Sequence, residues 1–328
     1  MRRFIVALTA ASLLATACSD DSSSQTSDAP LTTPSTLPST TEVVDSTVDT
    51  TVAPTTVEPT VAPTTPPETF DDRPFEVFVP SGYDAATAAP LVILLHGYGA
   101  TGAIQDFYFN MQPQAEARGF LYAFPDGTPN QISSNAWNAT NACCHDDDSV
   151  DDSGYLTFII DDVSSKYNVD PSRIFLVGHS NGGFMSYRMA CEHADRIAGI
   201  VSLAGATFID TAQCAPTEPV NILQIHGTDD GTIAYDGGST PLGTYPSAET
   251  TVAKWSAYNG CTTTIETLGT IDFNLNVDGV ETTMTAFTGC PIDGAVELWT
   301  MADSPHIPAL HSTFAADIID WLFAHPNA

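Results

Sequence analysis

Residues 174–185 read Ile174-Phe175-Leu176-Val177-Gly178-His179-Ser180-Asn181-Gly182-Gly183-Phe184-Met185. An apolar, β-rich run enters Gly-X-Ser-X-Gly-Gly, and a helix-compatible segment leaves it. That order predicts a buried strand, a sharp turn carrying Ser180, and a helix that starts at once. Such a turn strains the serine backbone and lifts Oγ above the strand end, while small residues two positions to either side avoid clashes. The helix N-terminus then faces the negative charge that develops when a serine attacks a carbonyl. A Gly-X-Ser-X-Gly is common by chance, and its bland reading is an inert Gly-rich turn. Here the strand and the helix that the chemistry requires both flank it.

Outward from this segment, β-rich runs alternate with helical patterns. Phe75–Val79, Leu91–Leu95, Phe120–Phe124, Ile174–Val177, Ile200–Leu203, Ile222–Ile225 and Val296–Thr300 read as strands. Leu156, Ile160, Val163 and Tyr167 fall at helical spacing, as do Phe314, Ile318 and Leu322. Several strands are apolar throughout, as expected when both faces of a parallel sheet are covered. The fold class is therefore α/β, with a doubly wound, mostly parallel sheet over residues 70–328. The polar stretch Thr262–Thr288 is expected to form hairpins or an excursion at the sheet edge.

The chain in front of this domain has a different composition. Residues 1–18, MRRFIVALTAASLLATAC, place Arg2 and Arg3 before a short apolar run, the pattern of a secretory signal. The closing Ala15-Thr16-Ala17-Cys18 resembles the bacterial lipobox, which implies diacylation of Cys18. Ala15 stands where Leu is usual, so ordinary signal-peptidase cleavage near Ala17 is the alternative. Residues 19–69 are rich in Ser, Thr, Pro and acids, and Ser19 to Glu68 holds no Lys or Arg. So few large apolar side chains cannot offset the entropy of ordering, which predicts a disordered, extended stalk. Net charge is −31 with nine Lys plus Arg, which argues against nucleic acid or anionic lipid head groups as partners. Seven cysteines leave six after Cys18, an even number that in an exported chain reads as disulfides. Proximity in sequence pairs Cys191 with Cys214 and Cys261 with Cys290, leaving Cys143 with Cys144; crossed pairings stay open.

A serine needs a base to take its proton and an acid to orient that base. Where the serine sits on a strand-to-helix turn of this kind, the chain order is Ser, then acid, then His. His96, His145 and His179 come too early, and His226 precedes both candidate acids. His306, in the loop Met301-Ala302-Asp303-Ser304-Pro305-His306-Ile307-Pro308 after a strand, is the expected base. His311 is the runner-up, though a place at the start of the last helix suits it better, and His325 lies in the tail. The acid comes from Gln224-Ile225-His226-Gly227-Thr228-Asp229-Asp230, where neighbouring residues point different ways. The residues alone leave Asp229 and Asp230 even.

Matching segments over much of the domain resemble the α/β-hydrolase esterases of the polyhydroxybutyrate depolymerase and feruloyl/acetylxylan esterase group. They are LLHGYGATG, AFPDGT, WNATNACCHDD, DDSGYL, YNVDPSRIFLVGHSNGG, MACEHADRIAGIVSLAGA, QIHGTDDGTIAY and the closing SPH. The group's phrase His-Gly-Thr-x-Asp, laid on this chain, implies Asp230 as the acid. Where the group has Gly-Gly-His with a Trp nearby, this chain has Asp303-Ser304-Pro305-His306, a departure that touches the substrate more than the triad.

Acyl transfer also needs two preset N–H donors for the oxyanion. The amide after the nucleophile, Asn181, is one. In similar enzymes the residue after the first His-Gly supplies the other, here Tyr98 in LLHGYG, where Gly97 and Gly99 let the main chain turn. Trp137 is a weaker candidate for the substrate pocket. The acidic run after His145 does not have the spacing of a calcium loop, so no metal and no cofactor is expected. The expected protein is an extracellular, lipid-anchored or released, monomeric serine esterase with a membrane link only through its N-terminal lipid. The resemblance implies polyhydroxyalkanoate, or feruloyl or acetyl esters of polysaccharide, as substrates. A peptidase or thioesterase on the same fold, and a non-catalytic surface-binding lipoprotein, are the alternatives.

Overall fold

The computed structural model describes Phe70 and residues 72–327. The expected signal segment, Cys18 and the stalk lie outside the described residues. None of the described helices is long and apolar enough to cross a membrane.

Nine strands form one sheet: β1 (Val77–Phe78), β2 (Ala89–Leu95), β3 (Leu121–Ala123), β4 (Val169–His179), β5 (Gly199–Leu203), β6 (Asn221–Gly227), β7 (Ile265–Ile271), β8 (Thr282–Phe287) and β9 (Val296–Met301). Their order is β1-β3-β2-β4-β5-β6-β9-β8-β7. The central strands from β3 to β9 in this order pair in parallel. β1 pairs antiparallel with β3 at one edge, and β8 and β7 continue antiparallel from β9 at the other. The polar stretch read as an edge excursion is thus the β7–β8 hairpin. β7 is largely exposed and β8 mostly half-buried, which is why they lack the continuous apolar run of the centre.

Among the described residues six α-helices cover the sheet: α1 (Gly102–Phe109), α2 (Gln112–Arg118), α3 (Asp152–Lys166), α4 (Asn181–Glu192), α5 (Ala248–Tyr258) and α6 (Phe314–Ala324). Strand β2 shows why both faces need covering, since all seven of its residues are buried. Leu91, Ile93 and Leu95 join a core with Leu156, Ile160 and Val163 of α3, Phe184 of α4 and Trp255 of α5. Val92 and Leu94, pointing the other way, join Phe109 of α1, Ala115 of α2, and Phe314, Ile318 and Leu322 of α6. Burying one such aliphatic or aromatic side chain is worth about 1.5–3 kcal/mol, so the two-sided burial of β2 is a large share of what holds the sheet. This is the doubly wound arrangement that the apolar runs anticipate.

Caps set where the helices begin. Asp151 accepts from Gly154 N at 2.7 Å and starts α3. Ser247 accepts from Thr250 N at 3.0 Å and starts α5. Replacing a cap of this kind by Ala typically costs about 1 kcal/mol.

The six cysteines of the domain pair as sequence proximity suggests: Cys143–Cys144, Cys191–Cys214 and Cys261–Cys290. Cys191 lies in α4, so its bond ties the helix that follows Ser180 to the loop beyond β5. The bond spans 23 positions of sequence, a loop whose closure constrains the unfolded chain by about 3 kcal/mol. The Cys191→Ala/Cys214→Ala protein should lose about that much stability in urea unfolding. A loss under about 1 kcal/mol would show that this crosslink does not carry the expected load.

Candidate active site

Parallel pairing puts the carboxyl ends of five strands in one row. Leu95 at the end of β2 pairs with Gly178 of β4, and His179 pairs with Leu203 of β5. Leu203 in turn pairs with Ile225 of β6, and Gly227 of β6 pairs with Met301 at the end of β9. The loops that follow β2, β4, β6 and β9 therefore leave the sheet at one rim. They carry Tyr98, Ser180, Asp230 and His306, respectively.

Ser180 occupies the turn between β4 and α4 with φ 53° and ψ −119°, a conformation uncommon for any residue with a Cβ. Two hydrogen bonds hold it there. Its N–H donates to Leu203 O at 2.8 Å, and its carbonyl accepts from Phe184 N at 3.0 Å. Gly178 and Gly182 are obligatory for a local reason. A Cβ on Gly178 would run into the Gly182 carbonyl, and one on Gly182 would run into the Leu95 carbonyl.

His306 Nε2 lies 2.9 Å from Ser180 Oγ, and His306 Nδ1 lies 2.7 Å from Asp230 Oδ2. The structure thus brings together the three residues read as nucleophile, base and acid. Asp229 and Asp230 differ sharply in placement. Asp230 is buried, while Asp229 is exposed and engages the site only through its backbone N–H, which donates to Ser304 O at 3.1 Å. The second oxygen of Asp230 accepts from the N–H groups of Thr232 and Ile233, both at 2.8 Å. Burial alone would raise the Asp230 carboxyl. Hydrogen bonding with His226 and His306 and the donated backbone N–H outweigh it, holding the group well below the usual carboxylate range. Asp230 is therefore ionised wherever His306 needs an anionic partner.

The other histidines have structural partners. His96 Nδ1 lies 2.8 Å from Gly97 O, and its Nε2 accepts from Gly127 N at 2.9 Å; burial pushes its pKa down, so the ring is neutral. His226 Nε2 donates to Ile233 O at 2.8 Å and stands 3.3 Å from Asp230 Oδ2, while Nδ1 accepts from Gln224 Nε2 at 3.1 Å. His311 pairs with Thr313 beside the start of α6, and His325 caps the end of that helix through Trp321 O. His145 sits between Thr128 and the Asp147 N–H. No cluster among the described residues is arranged to hold a metal ion.

His96 builds the corner that presents Tyr98. Gly97 N donates to Gln105 Oε1 at 3.2 Å and Gly99 N to Asn135 O at 2.8 Å, so the amides on either side of Tyr98 are consumed. The Tyr98 N–H has no partner among the described residues, and neither does the Asn181 N–H in the first turn of α4. Trp137 lies beneath this corner. It is fully buried, its indole N–H donates to His96 O at 3.1 Å, and its backbone exchanges two hydrogen bonds with the Asn181 side chain. The expectation that Trp137 lines the substrate pocket therefore gives way to a supporting place, because a residue with no exposed surface cannot touch a ligand. Its apolar bulk and its indole donor together signal either role in sequence, and only burial separates them.

Two further residues take supporting places that their positions in the sequence do not announce. His179 donates from Nε2 to His306 O at 3.0 Å, and Tyr108 OH donates to Pro308 O at 2.8 Å. Together they hold the loop that carries His306. Burial, with the nearby His306 adding to it, pushes the pKa of His179 down to about 4, so it serves this bond as a neutral ring.

A family model described as phospholipase/carboxylesterase matches residues 78–252. The match takes in Tyr98, Ser180 and Asp230 but ends before His306. Feruloyl esterase B of Piromyces equi is 33% identical over 192 residues, which are 56% of this chain and 35% of that protein. A bifunctional acetylxylan esterase/xylanase of Neocallimastix patriciarum is 27% identical over 163 residues, 50% of this chain and 22% of that one. This chain thus spans less than half the length of these two curated relatives. Among solved structures, an acetyl xylan esterase from Aspergillus awamori superposes with a TM-score of 0.53 at 16% identity, covering 76% of this chain and 93% of that one, which establishes a shared fold.

The buried ring of His179 has a measurable signature. Its folded pKa of about 4 lies below the ordinary 6.5, so between these values the unfolded chain binds the extra proton. Its contribution to stability is complete above about pH 6.5 and declines as the pH falls toward 4, by roughly 3 kcal/mol in all. In His179→Gln that part of the acid-side decline should vanish when urea unfolding is compared at pH 7 and pH 4.5. An equal decline in both proteins would show that the ring is not buried neutral.

Proposed function

Because this chain belongs to the phospholipase/carboxylesterase family, we propose that it is an exported serine carboxylesterase working through Ser180, His306 and Asp230. One observation carries the reading. A continuous relay runs from buried Asp230 through His306 to Ser180 Oγ, at 2.7 and 2.9 Å, together with the backbone N–H groups of Tyr98 and Asn181, which have no partner among the described residues. The strained serine does not serve the fold by itself, since such a backbone conformation costs stability.

In the proposed cycle His306 takes the Ser180 proton as Oγ bonds to the ester carbonyl carbon. The N–H groups of Tyr98 and Asn181 receive the oxyanion, a contribution typically worth about 2.7–4 kcal/mol per donor. The C–O bond to the alcohol then breaks, and His306 returns the proton to the departing oxygen. Water, deprotonated by His306, repeats the sequence on the acyl-enzyme and releases the acid. Asp230 remains anionic throughout and holds the imidazole in the tautomer with its proton on Nδ1.

The names of the relatives support feruloyl or acetyl esters of polysaccharide as substrates, and polyhydroxyalkanoate belongs to the same proposal. Export rests on the N-terminal signal pattern and on the three disulfides, which persist in oxidising compartments. Lipidation of Cys18 belongs to this reading.

A fluorophosphonate probe should label the wild-type protein at Ser180 and leave Ser180→Ala unlabelled. Absence of label on the folded wild type would leave a non-catalytic binding protein. Asp230→Asn should lower kcat on p-nitrophenyl acetate by about 10⁴-fold through loss of the tautomer, while Asp229→Asn stays within a few-fold. The reverse order would overturn the assignment of the acid. Rates on p-nitrophenyl acetate, methyl ferulate and a hydroxybutyrate oligomer rank the substrates.

A further inference from the structure

Two cavities, not one, open at Ser180. The first, of about 520 Å³, is walled mainly by Ile132, Ala142, Ile233, Pro241 and Leu242, with Asn130 and Asp146 among its polar members. The second, of about 410 Å³, is walled by Ile104, Tyr108, Ile307 and His306 itself. Tyr98, Ser180 and Thr232 line both, so the two cavities meet at the nucleophile. Each presents apolar side chains that are uncommonly exposed for their size: Ile132 at 74% and Leu242 at 47% in the first, Ile104 at 59% and Ile307 at 64% in the second.

An ester has two ends, and proton transfer distinguishes them. His306 Nε2 must hand its proton to the leaving oxygen, so the alcohol has to depart on the imidazole side of Ser180. His306 lines the second cavity and not the first. We propose that the cavity of Ile104 and Ile307 receives the alcohol component, that the cavity of Ile132 and Leu242 receives the acyl component, and that the preferred substrate is an ester with apolar groups on both sides of the bond cut. This assignment rests on the esterase reading above and narrows it. An acetylated sugar would leave the acyl cavity nearly empty and leave the exposed Ile104 and Ile307 of the other without an apolar partner. An apolar polyester, cut within its chain, fills both cavities.

The framework gives each wall an independent origin. The acyl wall is built from the loop around Ala142 and the loop around Leu242, tied together by a hydrogen bond from Thr240 Oγ1 to Ala142 O. The alcohol wall comes from α1 and from the loop after β9, tied by Tyr108 OH to Pro308 O at 2.8 Å. Shaving one wall should therefore leave the other in place.

Two ester series test the assignment. Methyl esters of acids from acetate to hexanoate vary the acyl side, and acetates of alcohols from methyl to hexyl vary the other. In the wild type kcat/KM should climb along both, by up to about fourfold for each methylene that becomes buried. Ile307→Ser and Ile104→Ser should flatten the alcohol series and keep the acyl slope; Leu242→Ser should flatten the acyl series and keep the alcohol slope. Ile104 stands on α1 and not on the loop that carries His306, so its variant separates loss of the wall from disturbance of the base. Crossed effects, flattening of both series by every variant, or no change of slope in any would overturn the assignment. Failure of the esterase reading looks different: neither series is hydrolysed and Ser180 takes no fluorophosphonate.

Discussion

Ser180 at φ 53° and ψ −119° is the constraint around which the site is organised. A residue with a side chain stays in that conformation only when its surroundings over-determine it. Here its N–H is held by Leu203 O and its carbonyl by Phe184 N. The chain on either side must pass so close that Gly178 and Gly182 can carry no Cβ. The strain is in turn borne by a sheet whose central strand β2 is buried on both faces by helices from opposite layers. Dense two-sided packing makes such a frame stiff enough to keep one turn in an unfavourable geometry.

The same frame explains why the other groups arrive where they do. Parallel pairing aligns the ends of β2, β4, β6 and β9, so four loops that lie far apart in sequence share one rim. Asp230 is satisfied from several directions at once, by His306 and by two backbone N–H groups, which is how a carboxylate can be buried and remain charged. His96 and His226 belong to this supporting layer. Both lie just past apolar runs that end in His-Gly, and both spend their ring nitrogens on holding a loop.

Much of this is legible in the chain because it depends on local pattern. Continuous apolar runs announce the central strands, and Leu156, Ile160 and Val163, or Phe314, Ile318 and Leu322, announce α3 and α6. Helices α1 and α2 are harder to read. They are short and end at Asn110 and Gly119 in left-handed conformation, so neither runs long enough to display a period. Chain order and loop position single out His306 without any structure, since the candidates that precede the acid drop out.

The amino-acid sequence by itself determined the elements and the chemical types at the site. The strand–turn–helix around Ser180, the late histidine and the pair of neighbouring acids all follow from local composition and spacing. Tertiary structure sets Asp230, and not Asp229, against His306, because which of two adjacent side chains turns inward depends on how their loop meets the segment at Ser304. It moved Trp137 from pocket wall to foundation, and it revealed the grip of His179 and Tyr108 on the loop of His306. It also created the two cavities, whose walls come from segments as far apart as Ile104 and Ile307. Burial and long-range contact are properties of the assembled sheet and its loops, and no local run of residues encodes them.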